Sequence, residues 1–333
     1  MRSPKRAIED QVIVITGASS GIGLATARMA AKRGARVVVS ARNAEDLAVL
    51  ADEITAAGGF ALAHAADVSD ARAVEALKDA ALDRFGRIDT WVNNAGLSLY
   101  GKLAEVDLVE ARRVFDVNFW GVVHGSRVAL EAMRGRGGII VNVGSVLSDI
   151  AIPIQGFYSA SKHAVRGFTN ALRVEIEMDD LPIDVSLVKP SAIDTPYVEH
   201  ARNYMETLPI NPPPVYAPEV VADAILHCAE HPRRDLVVGG AGKLLTFLDR
   251  IAPSLGDTIM ARTMAKAQRS DKPKGENDSL FLAPLVEGHE RGPHHAMTFE
   301  RSLYTKMAMN PGITAAVALG VFAALLITAS RRG

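Results

Sequence analysis

The sequence is short of several things, and each shortage excludes something. It holds a single cysteine, Cys228, in 333 residues. No intrachain disulfide can form, and such sparing usage fits a reducing compartment. A lone cysteine reads as a small buried hydrophobe before it reads as a nucleophile. There is no surplus of either charge: 37 Lys+Arg face 38 Asp+Glu, a formal net charge of −1. A general nucleic-acid binder needs a basic excess to neutralise phosphates, so that class is set aside. Aromatic residues make up only 5 %, and with abundant alanine this suits helices packed over a sheet. The nine histidines include His289, His294 and His295, but no frame of Cys or carboxylates at metal-binding spacing surrounds them, and no metal site is expected. Arg2, Lys5 and Arg6 lead straight into a strand-like run, without the apolar region and cleavage site of a secretory signal.

What is present is unevenly distributed. Residues 251–333 carry 10 Lys+Arg and 7 Asp+Glu, leaving 27 against 31 for residues 1–250. Over the first 240 residues, short apolar runs alternate with longer amphipathic stretches, the βαβ pattern of a parallel sheet covered on both faces. Strands are predicted at Val12–Thr16, Arg36–Ser40, Ala61–Ala65, Thr90–Asn93, Gly138–Val143, Asp184–Lys189 and Leu236–Val238. Helices are predicted between them at Ile22–Arg33, Ala44–Ala57, Ala71–Phe85, Val109–Arg134, Tyr158–Met178 and Glu219–His231. Pro-rich Leu208–Pro218 reads as a loop over the sheet's edge. Beyond Gly242 the alternation stops: Leu244–Lys266 suits one or two helices, and polar Gln268–Ala296 reads as linker or lid, with the run Leu280–Val286 able to dock on the main domain.

The first strand runs into Thr16-Gly17-Ala18-Ser19-Ser20-Gly21-Ile22-Gly23, which opens the first helix. Glycines at such a turn let backbone N–H groups at a helix N-terminus approach a pyrophosphate. Further on stand Asn93-Asn94-Ala95-Gly96, Asn118, Ser145 and Tyr158-Ser159-Ala160-Ser161-Lys162. In this order the motifs resemble the short-chain dehydrogenase/reductase family, in its branch of about 250 residues, over roughly residues 8–242. Tyr158 and Lys162, four apart, share one helix face, and an ammonium beside a phenol favours the phenolate. Tyr158 is therefore a plausible acid for ketone reduction and base for alcohol oxidation. The resemblance implies that Ser145 donates to the substrate carbonyl oxygen and that Asn118, in mid-helix, holds a water linking Lys162 to solvent.

The second strand ends at Ser40-Ala41-Arg42. An NAD-preferring member would carry an acid where Ala41 stands; its absence, with Arg42 following, favours the 2′-phosphate of NADP(H). The resemblance further implies cofactor contacts from Gly17, Ser19, Ser20, Gly21, Ile22 and Gly23, from Asp67 and Val68 at the adenine, and from Asn94, Ala95 and Gly96. Pro190, Ile193 and Thr195 would serve the nicotinamide end, together with Tyr158 and Lys162. Ser191 departs from the family's glycine in that segment, and would cost energy if φ > 0 is needed there. Gly144 stands where a serine is common, and would widen the space beside Ser145.

The fold implied is a Rossmann-like, doubly wound, seven-stranded parallel sheet over residues 1–242, a helical or linker extension over 243–312, and one apolar helix over 313–330. Met307–Ser330 is uncharged and 14 of the 17 residues Ile313–Ala329 are apolar, so this helix is read as a membrane anchor, with the catalytic domain facing the cytoplasm. Trp91 and Trp120 read as core fillers. The segment Thr195–Pro218 should cover the substrate, with Tyr197, Tyr204, Met205 and Leu208 giving an amphipathic lining suited to a lipophilic ketone or alcohol. The expected partner is a small carbonyl or alcohol, and a homodimer or homotetramer is expected by analogy. Two other readings stay open: a non-catalytic NADP(H)-binding membrane scaffold or sensor, and an isomerase or dehydratase on the same fold.

Overall fold

The computed structural model describes residues 6–274, 280–282, 288–292, 297–310, 312 and 314. Seven strands form one parallel sheet: β1 (Val12–Thr16), β2 (Arg36–Ser40), β3 (Phe60–Ala63), β4 (Thr90–Asn93), β5 (Gly138–Val143), β6 (Ile183–Pro190) and β7 (Asp235–Val238). Their order is β3-β2-β1-β4-β5-β6-β7, with register pairs such as Val14↔Val38, Val14↔Trp91 and Val141↔Ser186. β1, β4 and β5 are buried along their whole length, which explains their near-continuous apolar sequence: a parallel strand covered on both faces has no polar side to show.

The helices are α1 (Gly21–Lys32), α2 (Ala44–Ala56), α3 (Ala71–Phe85), α4 (Leu108–Phe115), α5 (Gly121–Met133), α6 (Gly156–Met178) and α7 (Pro218–Glu230). Local chemistry sets several ends. The Asn43 side chain accepts from the Glu45 N–H and caps α2, the Asp70 side chain accepts from the Arg72 N–H and caps α3, and Gly86 at φ 73° terminates α3. One face of the sheet joins Ile13, Ile15, Val37, Val39, Leu47, Ile225 and Leu226 into a core, and the other joins Val12, Val14, Trp91, Leu77, Met133 and Leu172.

The stretch expected as one helix over Val109–Arg134 is instead α4 and α5 joined by a π-helical turn, Asp116–Trp120. Trp91 is fully buried, but Trp120 is 49 % exposed and stacks on His124, a correction to its reading as a core filler. The region after β7 is more folded than a linker. It forms α8 (Gly240–Ile251), α9 (Pro253–Ala267) and α10 (Leu303–Met309). Arg269–Pro273 pairs antiparallel with Thr207–Pro209, and Thr298–Phe299 pairs with Val215–Tyr216. The Pro-rich loop is thereby held from two sides, and Met309 joins the core cluster beneath α7. No helix among the described residues is long and apolar enough to cross a membrane. The anchor expected at 313–330 lies outside the described residues, except that 314 belongs to them.

Candidate active site

Every residue of the expected tetrad is buried at the C-terminal ends of the central strands, where open α/β sheets place their ligands. Ser145 follows β5, and its Oγ accepts from the Leu147 N–H at 3.0 Å while its own N–H donates to Ser148 Oγ at 3.1 Å. Tyr158 and Lys162 lie one turn apart on α6, with Lys162 Nζ 5.7 Å from the Tyr158 ring centroid and donating to the Val143 carbonyl at 3.0 Å. Burial pushes the Tyr158 hydroxyl above its ordinary value, against the pull of Tyr197 and Ser145. Burial likewise lowers Lys162 to about 8.

Asn118 sits on the π turn and is fully buried. Its Oδ1 accepts from the Leu97 N–H at 2.7 Å, and its Nδ2 donates to the Leu97 carbonyl and to Ser161 Oγ, both at 3.0 Å. The side chain thus clamps the loop after β4 to the catalytic helix. Asn118 Oδ1 and Lys162 Nζ both face Gly96: a Cβ there would stand 3.4 Å and 3.7 Å from them, ordinary contact distances.

A cavity of about 320 Å³ runs from Arg42, Asp67 and Val68, past Ser19–Ile22 and Asn94–Gly96, to Ser145, Tyr158 and Lys162. Its far end is lined by Val146, Leu147, Ile150, Ile152, Leu245 and Met264. The glycine turn is shaped for close backbone approach. A Cβ on Gly23 would lie 2.0 Å from the Gly17 carbonyl oxygen, and one on Gly17, at φ 67°, would lie 2.7 Å from Ala95 Cα. Only glycine permits this cradle, so the residues present fit a dinucleotide. Asn94 ties the cradle to β4, donating from Nδ2 to the Thr16 and Gly17 carbonyls at 3.0 and 3.1 Å. Thr195 meets Gly21 from the opposite wall, and the Ile193 carbonyl accepts from Asn211 Nδ2 at 2.9 Å. Pro190 and Ser20 also line the cavity.

Asp67 is held by Arg113, Nη2 to Oδ2 at 2.5 Å, and by Ser69. Burial opposes its ionisation, but these partners outweigh burial and keep the carboxyl below its ordinary value. Arg113 was not picked out from sequence. It stands 46 residues from Asp67, and nothing short of the fold brings the two together. Gln155 and Tyr100 were missed likewise, and both are buried close to Tyr158.

Three expectations need correction. Of the four residues proposed to line the substrate end, Tyr197 does so, but Tyr204, Met205 and Leu208 do not. Pairing of Arg202–Asn203 with Leu99–Tyr100 turns Tyr204 toward the Asp107 N–H and Glu110 and draws Met205 into a separate apolar cluster. Ser191 is unstrained: the positive φ values among described non-glycine residues belong to Ile154 and Asp180. Its Oγ donates to the Val238 carbonyl at 2.8 Å, close to Gly239, which carries a positive φ of 101° instead. Gly144 does not widen the site, because Ser148 Oγ and Leu187 Cδ1 already stand 2.9 and 3.1 Å from where its Cβ would be. Cys228 is buried, and burial pushes its thiol up to about 11, as suits an inert core residue.

A doubly wound sheet, a glycine cradle at the first strand–helix turn and a buried Ser-Tyr-Lys group in one cavity define a dinucleotide-dependent oxidoreductase. Comparison with known proteins agrees. The family model for short chain dehydrogenases matches residues 11–206. The chain is 43 % identical over 320 residues to the uncharacterized oxidoreductase YxnA of Bacillus subtilis, covering 95 % of this chain and 90 % of that one. Among solved structures, a short-chain dehydrogenase/reductase from Burkholderia phymatum in complex with NAD aligns with a TM-score of 0.69 and 29 % identity, covering 75 % of this chain and 96 % of that one. An alcohol dehydrogenase from Thermococcus sibiricus complexed with 5-hydroxy-NADP aligns with a TM-score of 0.61 and 28 % identity, over 68 % and 95 %. The chain belongs to the short-chain dehydrogenase/reductase family, and it is an oxidoreductase acting between alcohol and carbonyl groups.

Proposed function

We propose that the protein interconverts a lipophilic ketone or aldehyde and its alcohol with NADP(H), using Tyr158 as the proton donor and acceptor. The observation that carries this reading is one cavity holding Arg42 at one end and Ser145, Tyr158 and Lys162 toward the other. Gly17, Ser19–Gly23, Asp67, Val68, Asn94–Gly96, Pro190, Ile193 and Thr195 would hold the dinucleotide, and Arg42 its 2′-phosphate. When bound, the cofactor supplies the hydride to the carbonyl carbon, or accepts it from the alcohol.

This chain's residues manage the oxygen and its proton. Ser145 is fixed by Ser148 and the Leu147 N–H, so its hydroxyl is oriented before substrate arrives. In reduction, Tyr158 gives its phenolic proton to the substrate oxygen as negative charge develops there. The Lys162 ammonium steadies the phenolate left behind, and it can return a proton toward Tyr158 because burial has already loosened its own. Asn118 Oδ1, facing the same space over Gly96, offers a second lone pair for a water in that relay. The apolar far end, from Val146 to Met264, favours a lipophilic substrate over a sugar.

The decisive assay follows NADPH oxidation over a panel of carbonyl compounds. Tyr158→Phe should lower turnover by at least about 100-fold, the scale of a positioned acid. Equal rates for the two proteins on every substrate would refute the mechanism, and turnover of small polar sugars alone would refute the substrate class. For the cofactor, Arg42→Ala should raise the KM for NADPH by at least about tenfold, one lost charge-assisted contact, and leave that for NADH nearly unchanged. Equal losses would exclude the assignment. We also propose that the uncharged C-terminal segment anchors the protein at the membrane with the catalytic domain facing the cytoplasm, supported by its composition. Release of full-length protein by salt alone would exclude this. Association into a homodimer or homotetramer is proposed on family analogy, and light scattering decides it.

A further inference from the structure

The region after α9 returns to the dinucleotide groove and fastens to its rim at three places. At the adenine end, the Leu280 carbonyl accepts from Arg113 Nε at 2.9 Å and from Arg42 Nη1 at 3.3 Å, and the Leu280 side chain is fully buried in the core cluster shared with Val68, Leu97 and Val117. Over the glycine turn, the Gly288 N–H donates to the Ser19 carbonyl and the Gly21 N–H donates to the His289 carbonyl, both at 2.9 Å. At the nicotinamide end, the Gly292 N–H donates to Asp194 Oδ1 at 3.2 Å, and Thr298 Oγ1 donates to Asp194 Oδ2 at 2.8 Å. Two ion pairs flank these points: Glu290 with Arg28 on α1 at 2.8 Å, and Arg291 with Glu219 on α7 at 2.9 Å.

These contacts fall on the residues, or their immediate neighbours, that serve the cofactor in the reading above, on which this inference rests: Arg42, Ser19, Gly21 and Thr195. Yet the cavity stays continuous from Arg42 and Asp67 to Tyr158 with these residues in place, and neither Leu280 nor Gly288–Gly292 lines it. They sit on the rim and do not fill the groove. We propose that Leu280 and Gly288–Gly292 form a clasp that retains the bound dinucleotide, so that its release requires the rim contacts to break first. With the segment fastened along the rim at the adenine, phosphate and nicotinamide regions, an extended ligand can leave past that rim only once these contacts break. The clasp should act on the rate of departure more than on the chemistry.

The glycine at 292 supplies the means to test it. A Cβ there would lie 2.7 Å from the Thr195 carbonyl oxygen, a backbone atom, so Gly292→Val forces the segment and the rim at Thr195 apart. Glu290→Ala, which removes only the pairing with Arg28, is the milder companion. In full-length protein, NADPH release is timed by stopped-flow fluorescence after mixing with excess NADP, and affinity is measured for NADPH and NADH. Melting curves confirm that both variants fold. Release at least fivefold faster in Gly292→Val, with a smaller change in the same direction in Glu290→Ala, supports the clasp. Unchanged release, or tighter binding once the segment is lifted, overturns it. Failure of the unaltered protein to bind either dinucleotide overturns the functional reading, and the clasp with it.

Discussion

At Lys162 one residue serves two opposed demands. Its ammonium must stand near Tyr158 to favour the phenolate, yet it is fully enclosed, and burial lowers its proton affinity from the ordinary lysine value to about 8. Two outcomes follow. Reductase activity should fall as pH rises through about 8, when Lys162 becomes neutral and Tyr158 loses its cationic neighbour; an unbroken plateau to pH 10 would exclude this. Stability should move the other way. Between about 8 and the ordinary value of 10.5 the folded state binds fewer protons at this site than the unfolded chain, so stability rises with pH across that window and the cost of burying the charge is in force below it. Lys162→Met should therefore lose turnover by at least about 100-fold while melting no lower than the unaltered protein at pH 7, and any gain should shrink toward pH 10. Tyr158 and Lys162 were legible in the sequence because they stand in the motif order of a known family; four-residue spacing on a helix adds only that they share a face. Arg113 and Tyr100 were not, since only tertiary packing brings them to the site, and Gln155, the residue before α6, carries no motif that marks it.

Among the elements, the seven strands were nearly all written in the apolar runs. Val12–Thr16, Arg36–Ser40, Thr90–Asn93 and Gly138–Val143 fall where expected, because a buried parallel strand has no polar alternation to blur its ends. The π turn Asp116–Trp120 was not legible. Five residues are too few to separate its repeat from that of an α-helix, and the expected helix ran straight through it. The turn matters because it aims Asn118 at Leu97 and Ser161. Asn118→Ala would leave the buried Leu97 N–H and carbonyl without these partners, at about 1–3 kcal/mol each. The variant should unfold at lower denaturant, its stability reduced by about 2–6 kcal/mol in all, and lose turnover besides. A stability change under about 0.5 kcal/mol, the size of an ordinary surface substitution, would show that the clamp carries no weight.

For the molecule as a whole, the sequence suggests a catalytic domain over residues 1–242 and an extension after it, and that extension packs onto the core of the first part. Gln268, fully buried, accepts from Gln155 Nε2 at 2.9 Å and donates from its own Nε2 to the Pro153 carbonyl at 3.0 Å, beside the entrance to α6. Thr305, also fully buried, accepts at Oγ1 from the Gly239 N–H at 3.1 Å, and Arg233 Nη2 donates to the Met309 carbonyl at 3.0 Å. Leu280 and Met309 sit in the two main core clusters, and burying such side chains contributes about 1.5–3 kcal/mol each. Of these anchors only Leu280 was legible, in the apolar run Leu280–Val286; Gln268, Thr305 and Met309 stand singly and far apart, and Gln268–Ala296 is otherwise polar enough to pass for a linker. Two truncations separate the alternatives. A chain ending after Asn310 keeps every one of these contacts and should retain the melting temperature of the full chain and its turnover of soluble carbonyl substrates. A chain ending after Ala267 uncovers the α7 core at Met309, removes the Gln268 hydrogen bonds beside α6 and leaves the Gly239 N–H without Thr305. It should melt at least 10 °C lower, on the order of 2–4 °C being lost per kcal/mol in a chain of this size. Equal melting temperatures for the two truncations would make residues 268–310 dispensable to the fold.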